Sequence, residues 1–192
     1  GLQENFNASN EDRMLSYLPL AHVAERAAVE TLSLYFGFSI FFSEGLETFQ
    51  KDLQRAQPTI FFSVPRLWTK FYLRKKKKLP LEKQKRLFRI PILSGIVKRK
   101  ILKQLGLDKC RMAVTASAPL PPNIIQWYRN LGLELLDVYG MTENFGYSHS
   151  SRPGQVRVGY VGECNPRVEC RIADNGEVLV KSPGQMLGYY NN

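Results

Sequence analysis

Seven consecutive residues, Asp137-Val138-Tyr139-Gly140-Met141-Thr142-Glu143, carry the side chains best suited to chemistry in this chain. They follow an apolar run, residues 131–136, interrupted by Gly132 and Glu134, that reads as a short buried strand. In an open α/β sheet, ligands bind beyond the C-terminal ends of strands. Tyr139 can stack on a base, the Thr142 hydroxyl can bond a phosphate, and the Glu143 carboxylate can hold magnesium, which takes oxygen ligands. These residue types suit a nucleotide site. The same residues also read as a plain turn with a helix-capping Thr, and the motif by itself leaves both readings open.

A second segment, Thr115-Ala116-Ser117-Ala118-Pro119-Leu120, is built of small residues after a strand. Small side chains let a planar ring approach the backbone closely, as glycine does. The plain alternative is a strand-to-helix loop capped by Ser, with Pro at the helix start. His22 follows Pro19-Leu20-Ala21; a lone histidine is most often a satisfied structural residue. His149 reads only as that.

The elements that must position these residues alternate between strand and helix. Residues 22–36 have helix-compatible spacing. Phe38-Ser39-Ile40-Phe41-Phe42 reads as a buried strand from its aromatic and β-branched content. Residues 46–56 read as a helix with Pro58 marking its end, and 59–64 as an apolar strand with Pro65 in the first turn of the next helix. Residues 66–105 are helical in pattern, with expected breaks at Pro80, Pro91 and Gly95. A strand at 112–115, a helix at 121–131 and a strand at 133–138 follow. Fully apolar strands alternating with helices imply an α/β fold with a mostly parallel sheet covered by helices on both faces. After Gly146, Gly and Pro become frequent. Short alternating segments at 168–173 and 177–181 flank Asp174-Asn175-Gly176, a hairpin signal. A small antiparallel β subdomain is therefore expected, and we divide the chain into residues 1–155 and 156–192.

The length fits one ordinary domain. The net charge of +10 is unevenly placed. Between Arg66 and Arg111 stand seventeen Lys and Arg against Glu82 and Asp108, a local excess of fifteen, whereas the remainder has ten bases against fifteen acids. This 66–111 segment has three readings: a solvated helical face, attraction to an anionic membrane surface, and capture of CoA phosphates. Leu73, Leu79, Leu81, Leu87 and Phe88 interleave with the bases, as a membrane-surface helix requires. No nucleic-acid-binding module is recognisable. Cys110, Cys164 and Cys170 form neither a metal-binding spacing nor an even framework, which suits a reducing, cytoplasmic setting, with peripheral membrane attachment as the variant. No apolar run reaches the length of a membrane span.

Four segments taken in order resemble one family. They are Ser16-Tyr17-Leu18-Pro19-Leu20-Ala21-His22, the Thr115–Leu120 segment, the Asp137–Glu143 segment, and Gly176-Glu177-Val178 with Gly184-Gln185-Met186-Leu187-Gly188-Tyr189-Tyr190. The chain resembles the middle of an AMP-forming acyl-CoA synthetase of the adenylate-forming superfamily. Residues 18–26 are similar in wording to the long-chain fatty acid–CoA ligases. The resemblance implies a fatty acid, ATP and CoA as substrates, with Mg2+. It implies that Asp137, Val138, Tyr139, Gly140, Met141 and Thr142 line the AMP site, that Thr142 contacts phosphate, and that Glu143 binds the metal. It implies that Ser117, Ala118 and Pro119 line the adenine pocket, and that His22 borders the acyl and adenylate site. His22 need not transfer a proton, because the reacting carboxylate is already ionised at neutral pH.

The family's phosphate loop and its C-terminal domain with a catalytic Lys have no counterpart between Gly1 and Asn192. The expectation is a fragment of the N-terminal domain, incomplete in catalysis by itself. Two rivals stand beside it: a non-catalytic basic α/β module that docks on membranes, and an enzyme that adenylates another carboxylic acid.

Overall fold

The protein is described by a computed structural model covering residues 7–191. Strand β1 (Arg13–Ser16) leads to π-helical turns at Glu25–Thr31 that run directly into α1 (Leu32–Phe36). Then follow β2 (Ser39–Phe42), α2 (Phe49–Ala56), β3 (Ile60–Ser63), α3 (Pro65–Lys78), α4 (Leu81–Phe88) and α5 (Pro91–Leu105). After them come β4 (Met112–Ala116), α6 (Pro122–Leu131), β5 (Leu135–Tyr139), a 3-10 turn at Thr142–Asn144, β6 (His149–Ser150), β7 (Glu163–Cys164), β8 (Glu169–Ile172) and β9 (Val178–Lys181).

The main sheet has the order β3-β4-β5-β6-β7. Its first three strands are parallel, and β6 and β7 join antiparallel at the far edge. The parallel strands are apolar on both faces because both faces are covered. Phe61, Ala113 and Leu135 pack into one cluster with α2, α3, α5 and α6. Their neighbours Ile60, Met112, Val114 and Leu136 pack into a second cluster with Val29 and Leu32 of the π-helical turns and α1. Alternation along each strand therefore divides its side chains between two cores.

The larger core is tied by buried polar tips of aromatic residues. The Trp68 indole donates to the Val114 carbonyl at 3.3 Å, and the Tyr128 hydroxyl donates to the Trp68 carbonyl at 2.8 Å. Trp127 donates to Gln84 Oε1 at 2.8 Å, while Gln84 Nε2 donates to the Leu79 carbonyl at 2.7 Å. That chain of bonds fixes the α3–α4 corner against α6. Truncating a buried tryptophan such as Trp68 to alanine costs about 3–5 kcal/mol in cores of this kind. Gly106 ends α5 at φ 81°, and a Cβ there would lie 2.7 Å from the Leu53 backbone, so only glycine lets α5 close on α2.

Three expectations are corrected. The strand at 38–42 is only partly buried: Phe38 lies in the core, but β2 pairs with β1 alone among the described residues, and Phe42 is 72% exposed. Gly95 does not break a helix but lies inside α5, whereas Pro80 and Pro91 do delimit α4 and α5. The four-lysine run is not one solvated face. Lys75 is buried against α5 and donates to Gln104 Oε1 at 2.7 Å, and burial lowers its ammonium to about 8. The helix expected at 22–36 forms, but its middle is π-helical.

The hairpin forms as expected. β8 and β9 pair antiparallel, Ile172 opposite Val178, around a turn with Gly176 at φ 85°. Residues 156–192 contribute β7 to the main sheet before this hairpin begins.

Candidate active site

The parallel register sets Ala116 opposite Val138, so the chain leaves β4 and β5 side by side. Ser117 turns at φ 76°, a left-handed conformation rare for a residue with a Cβ; such strain gathers at functional sites. One strand over, Gly140 meets Gly146: a Cβ on Gly140 would lie 2.5 Å from the Gly146 carbonyl. The glycine lets the Tyr139 loop fold tightly back, and the 3-10 turn at Thr142–Asn144 occupies the fold, with Asn144 Oδ1 accepting from Met141 N–H at 3.0 Å. Between these loops and the π-helical turns lies a mostly apolar cleft of about 100 Å³. His22, Ala28, Ser117, Val138, Gly140 and Phe145 are among its walls. π-Helical turns recur at functional sites in proteins generally.

The structure brings His22, Ser117, Val138 and Gly140 together at this cleft. Ala118 and Pro119 are exposed on the chain just past Ser117, outside its walls. Asp137 and Tyr139, on β5, and Met141, Thr142 and Glu143, at the turn that follows it, also lie outside its walls. His22 Nδ1 accepts the Ala24 N–H at 3.1 Å, which assigns the proton of the neutral ring to Nε2. The Tyr139 ring sits 5.8 Å from the His149 ring. Thr142 is exposed.

Glu143 is held from the end of the chain. The Tyr189 hydroxyl donates to Glu143 Oε1 at 2.5 Å, and the Met186 N–H donates to the Glu143 carbonyl at 2.8 Å. The tyrosine bond pulls the Glu143 carboxyl below its ordinary value and raises the phenol. Gly184 permits this approach, because a Cβ there would lie 2.7 Å from the Asn144 carbonyl.

Beneath the loops runs a polar row that the sequence reading missed. Ser63, Thr115 and Asp137 stand in register on adjacent strands. Ser63 and Thr115 are buried, and Tyr17 donates to Ser63 Oγ at 2.8 Å. The Thr115 hydroxyl has no hydrogen-bond partner among the described residues. Burial lifts the Asp137 carboxyl to about 6, offset in part by the Val138 backbone N–H. Glu25 was also missed, although it lies within residues 18–26. It is buried, accepts the Leu18 N–H at 3.3 Å, and burial raises its carboxyl. Its Oε1 makes no hydrogen bond among the described residues, although Ser16 and the Tyr17 backbone stand close enough to offset part of that rise. A glutamate in an Ala-rich helical stretch reads as solvent-facing, and only the folded-back segment at 16–18 encloses it.

The residues fit the groups the resemblance implies. Magnesium keeps most of its waters and needs only one or two carboxylates, which a solvent-accessible Glu143 offers. The small exposed residues Ser117 and Ala118 leave the backbone open to a flat ring.

Residues 2–190 match the sequence profile of the AMP-binding enzyme family. A long-chain-fatty-acid–CoA ligase of Mycobacterium bovis, FadD15, is 29% identical over 206 residues, which cover 94% of this chain and 34% of that protein. The peroxisomal long chain acyl-CoA synthetase 6 of Arabidopsis thaliana is 30% identical over 217 residues, covering 95% of this chain and 31% of its own length. The crystal structure of a benzoate CoA ligase from Burkholderia xenovorans superposes with a TM-score of 0.73 at 21% identity, over all of this chain and 37% of that one. This chain thus spans about a third of the relatives it matches. With a profile match along nearly its whole length and with that fold, the chain belongs to the AMP-binding enzyme family.

Proposed function

We propose that this chain forms part of the N-terminal domain of an AMP-forming ligase that activates a fatty acid, long-chain by preference, and passes it to CoA. The fatty-acid relatives support the acid class, and the cleft between His22 and the Ser117 and Gly140 loops is the observation that carries the site. In this reading a carboxylate oxygen attacks the α-phosphorus of ATP. Pyrophosphate leaves with the P–O bonding pair, and an acyl-adenylate forms. The CoA thiolate then attacks the acyl carbon and AMP leaves. Two anions must meet, so charge neutralisation and alignment do most of the work.

Each residue has a role in that scheme. Ser117, Ala118 and Pro119 border the adenine. The chain from Asp137 to Met141 lines the AMP, with Tyr139 offering a ring face. Thr142 bonds phosphate through its hydroxyl. Glu143 holds Mg2+, which supplies charge neutralisation on the phosphates when bound. His22 shields the reacting carboxyl and donates from Nε2. In this reading the α/β part ends near residue 155, β7 beyond it still completes the main sheet, and the β subdomain begins with the β8–β9 hairpin.

The test is fatty-acid-dependent exchange of pyrophosphate into ATP by an enzyme containing this chain, with Ser117→Tyr as the variant. Filling the ring site should abolish exchange while circular dichroism stays unchanged. Retained exchange would overturn the assignment.

A second reading concerns the basic segment. α5 starts with exposed Ile92 and Ile96, 79% and 59% accessible, close in sequence to Lys98-Arg99-Lys100. Apolar residues beside bases favour contact with an anionic membrane surface. Among the described residues, no helix is long and apolar enough to cross a membrane.

A further inference from the structure

Three ligand-bearing residues, scattered in the sequence, meet at the edge of the main sheet. They are His149 on β6, Cys164 on β7 and Cys170 on β8. Their nitrogen and sulfur atoms all lie within 4.8 Å of one another. The antiparallel register sets His149 directly opposite Cys164, which puts both side chains on one face, with Nε2 3.2 Å from Sγ. On the other side of the ring, Nδ1 lies 2.8 Å from the hydroxyl of the fully buried Ser148. Both cysteines are free thiols.

We propose that His149 Nε2, Cys164 Sγ and Cys170 Sγ bind one zinc ion, with water in the fourth position. Tetrahedral zinc, with bonds of about 2.3 Å to sulfur and about 2.0–2.1 Å to nitrogen, sets its ligand atoms roughly 3.5–3.8 Å apart. Nε2 and the Cys164 sulfur stand 3.2 Å apart and all three atoms lie within 4.8 Å, so small side-chain shifts close the site on the ion. Two thiolates and an imidazole select zinc over magnesium, so this ion is separate from any that accompanies ATP, and the site is independent of the function proposed above. Ser148 acts one layer out: it accepts the Nδ1 proton and turns the Nε2 lone pair toward the sulfurs. The ion ties β8, and with it the β8–β9 hairpin, to the edge strand β7. On binding, each thiol loses its proton, two Zn–S bonds and one Zn–N bond form, and no group is oxidised.

The metal-stripped, reduced chain should be titrated with Co2+ and then Zn2+ under argon. The expected result is a thiolate-to-cobalt band in the near ultraviolet with tetrahedral bands in the visible. These should saturate at one ion per chain, be displaced by Zn2+, and accompany release of protons and a rise in Tm. Cys170→Ser, at an exposed position, should abolish the spectrum while circular dichroism stays unchanged. Ser148→Ala should weaken binding about ten- to a hundredfold. Cys110→Ser, remote from the cluster, should leave the spectrum unchanged. A folded, reduced chain with no tetrahedral cobalt spectrum overturns the site, as does a spectrum that survives Cys170→Ser. So does a Cys164–Cys170 disulfide that forms in air at the same rate with and without zinc, since that behaviour belongs to a redox pair.

Discussion

Tyr189 hydrogen-bonds Glu143 across 46 residues, hydroxyl to carboxylate Oε1, at 2.5 Å. The segment at residues 184–190 thereby holds the acid proposed to carry the metal. Glu143→Gln should lower pyrophosphate exchange by a hundredfold or more at saturating magnesium, because a lost metal carboxylate removes on the order of several kcal/mol of charge stabilisation. Tyr189→Phe should do less. It frees the carboxylate from its anchor, so a few-fold higher magnesium concentration should restore the rate. Exchange by Glu143→Gln near the wild-type level would remove Glu143 from the site.

Thr142 tests the phosphate contact. Thr142→Val keeps the volume and removes the hydroxyl. A hydrogen bond to a charged group is worth about 1.5–3 kcal/mol, which corresponds to a ten- to hundredfold slower adenylation step. Single-turnover adenylate formation, measured without CoA, isolates that step. An unchanged rate assigns Thr142 to the turn alone.

Asp137 makes stability depend on pH. Its folded-state value of about 6 lies above the ordinary 3.8, so the native state holds the proton more tightly than the unfolded chain. Its contribution is full below about 4 and is lost as pH rises through about 6. Asp137→Asn should therefore flatten the decline in stability across that window and raise stability at pH 7. The gain should be on the order of 1 kcal/mol, discounted because the side chain is only half-buried. Urea titrations at pH 4 and pH 7 give the comparison; equal effects at both would show that burial is not what shifts this carboxyl.

The basic helices can be tested without touching the core. Lys76, Lys77 and Lys78 are exposed while Lys75 is buried, so only the first three should be changed to Gln. Binding to anionic vesicles should weaken by roughly 1 kcal/mol per charge, and salt should reproduce the loss as the screening length falls toward about 3 Å at 1 M. A higher KM for CoA with unchanged vesicle binding would instead assign these lysines to CoA phosphates. If neither changes, they form a solvated face.

What could be read from the chain alone was what is encoded locally. Apolar runs at 59–64, 112–115 and 133–138 specify parallel strands because each face of each strand must find cover. Pro65, Pro80 and Pro91 delimit helices because proline cannot supply an interior N–H. The small-residue loop after β4 and the Tyr139–Glu143 segment became a candidate site only through their order among four segments that resemble one family, since each segment alone also reads as a plain turn. The tertiary structure decided whatever depends on distant chain segments meeting. Phe42 is apolar and yet exposed, because β2 lies in a two-stranded sheet, and no local pattern encodes which strands find partners. Lys75 is buried within a lysine run because α5 returns across α3. The Ser63–Thr115–Asp137 row needs a register across three strands, and the Tyr189–Glu143 bond needs the chain end to fold back past Gly184. His149, Cys164 and Cys170 have no ligand spacing in sequence, and become neighbours only because β6, β7 and the start of β8 converge at one sheet edge.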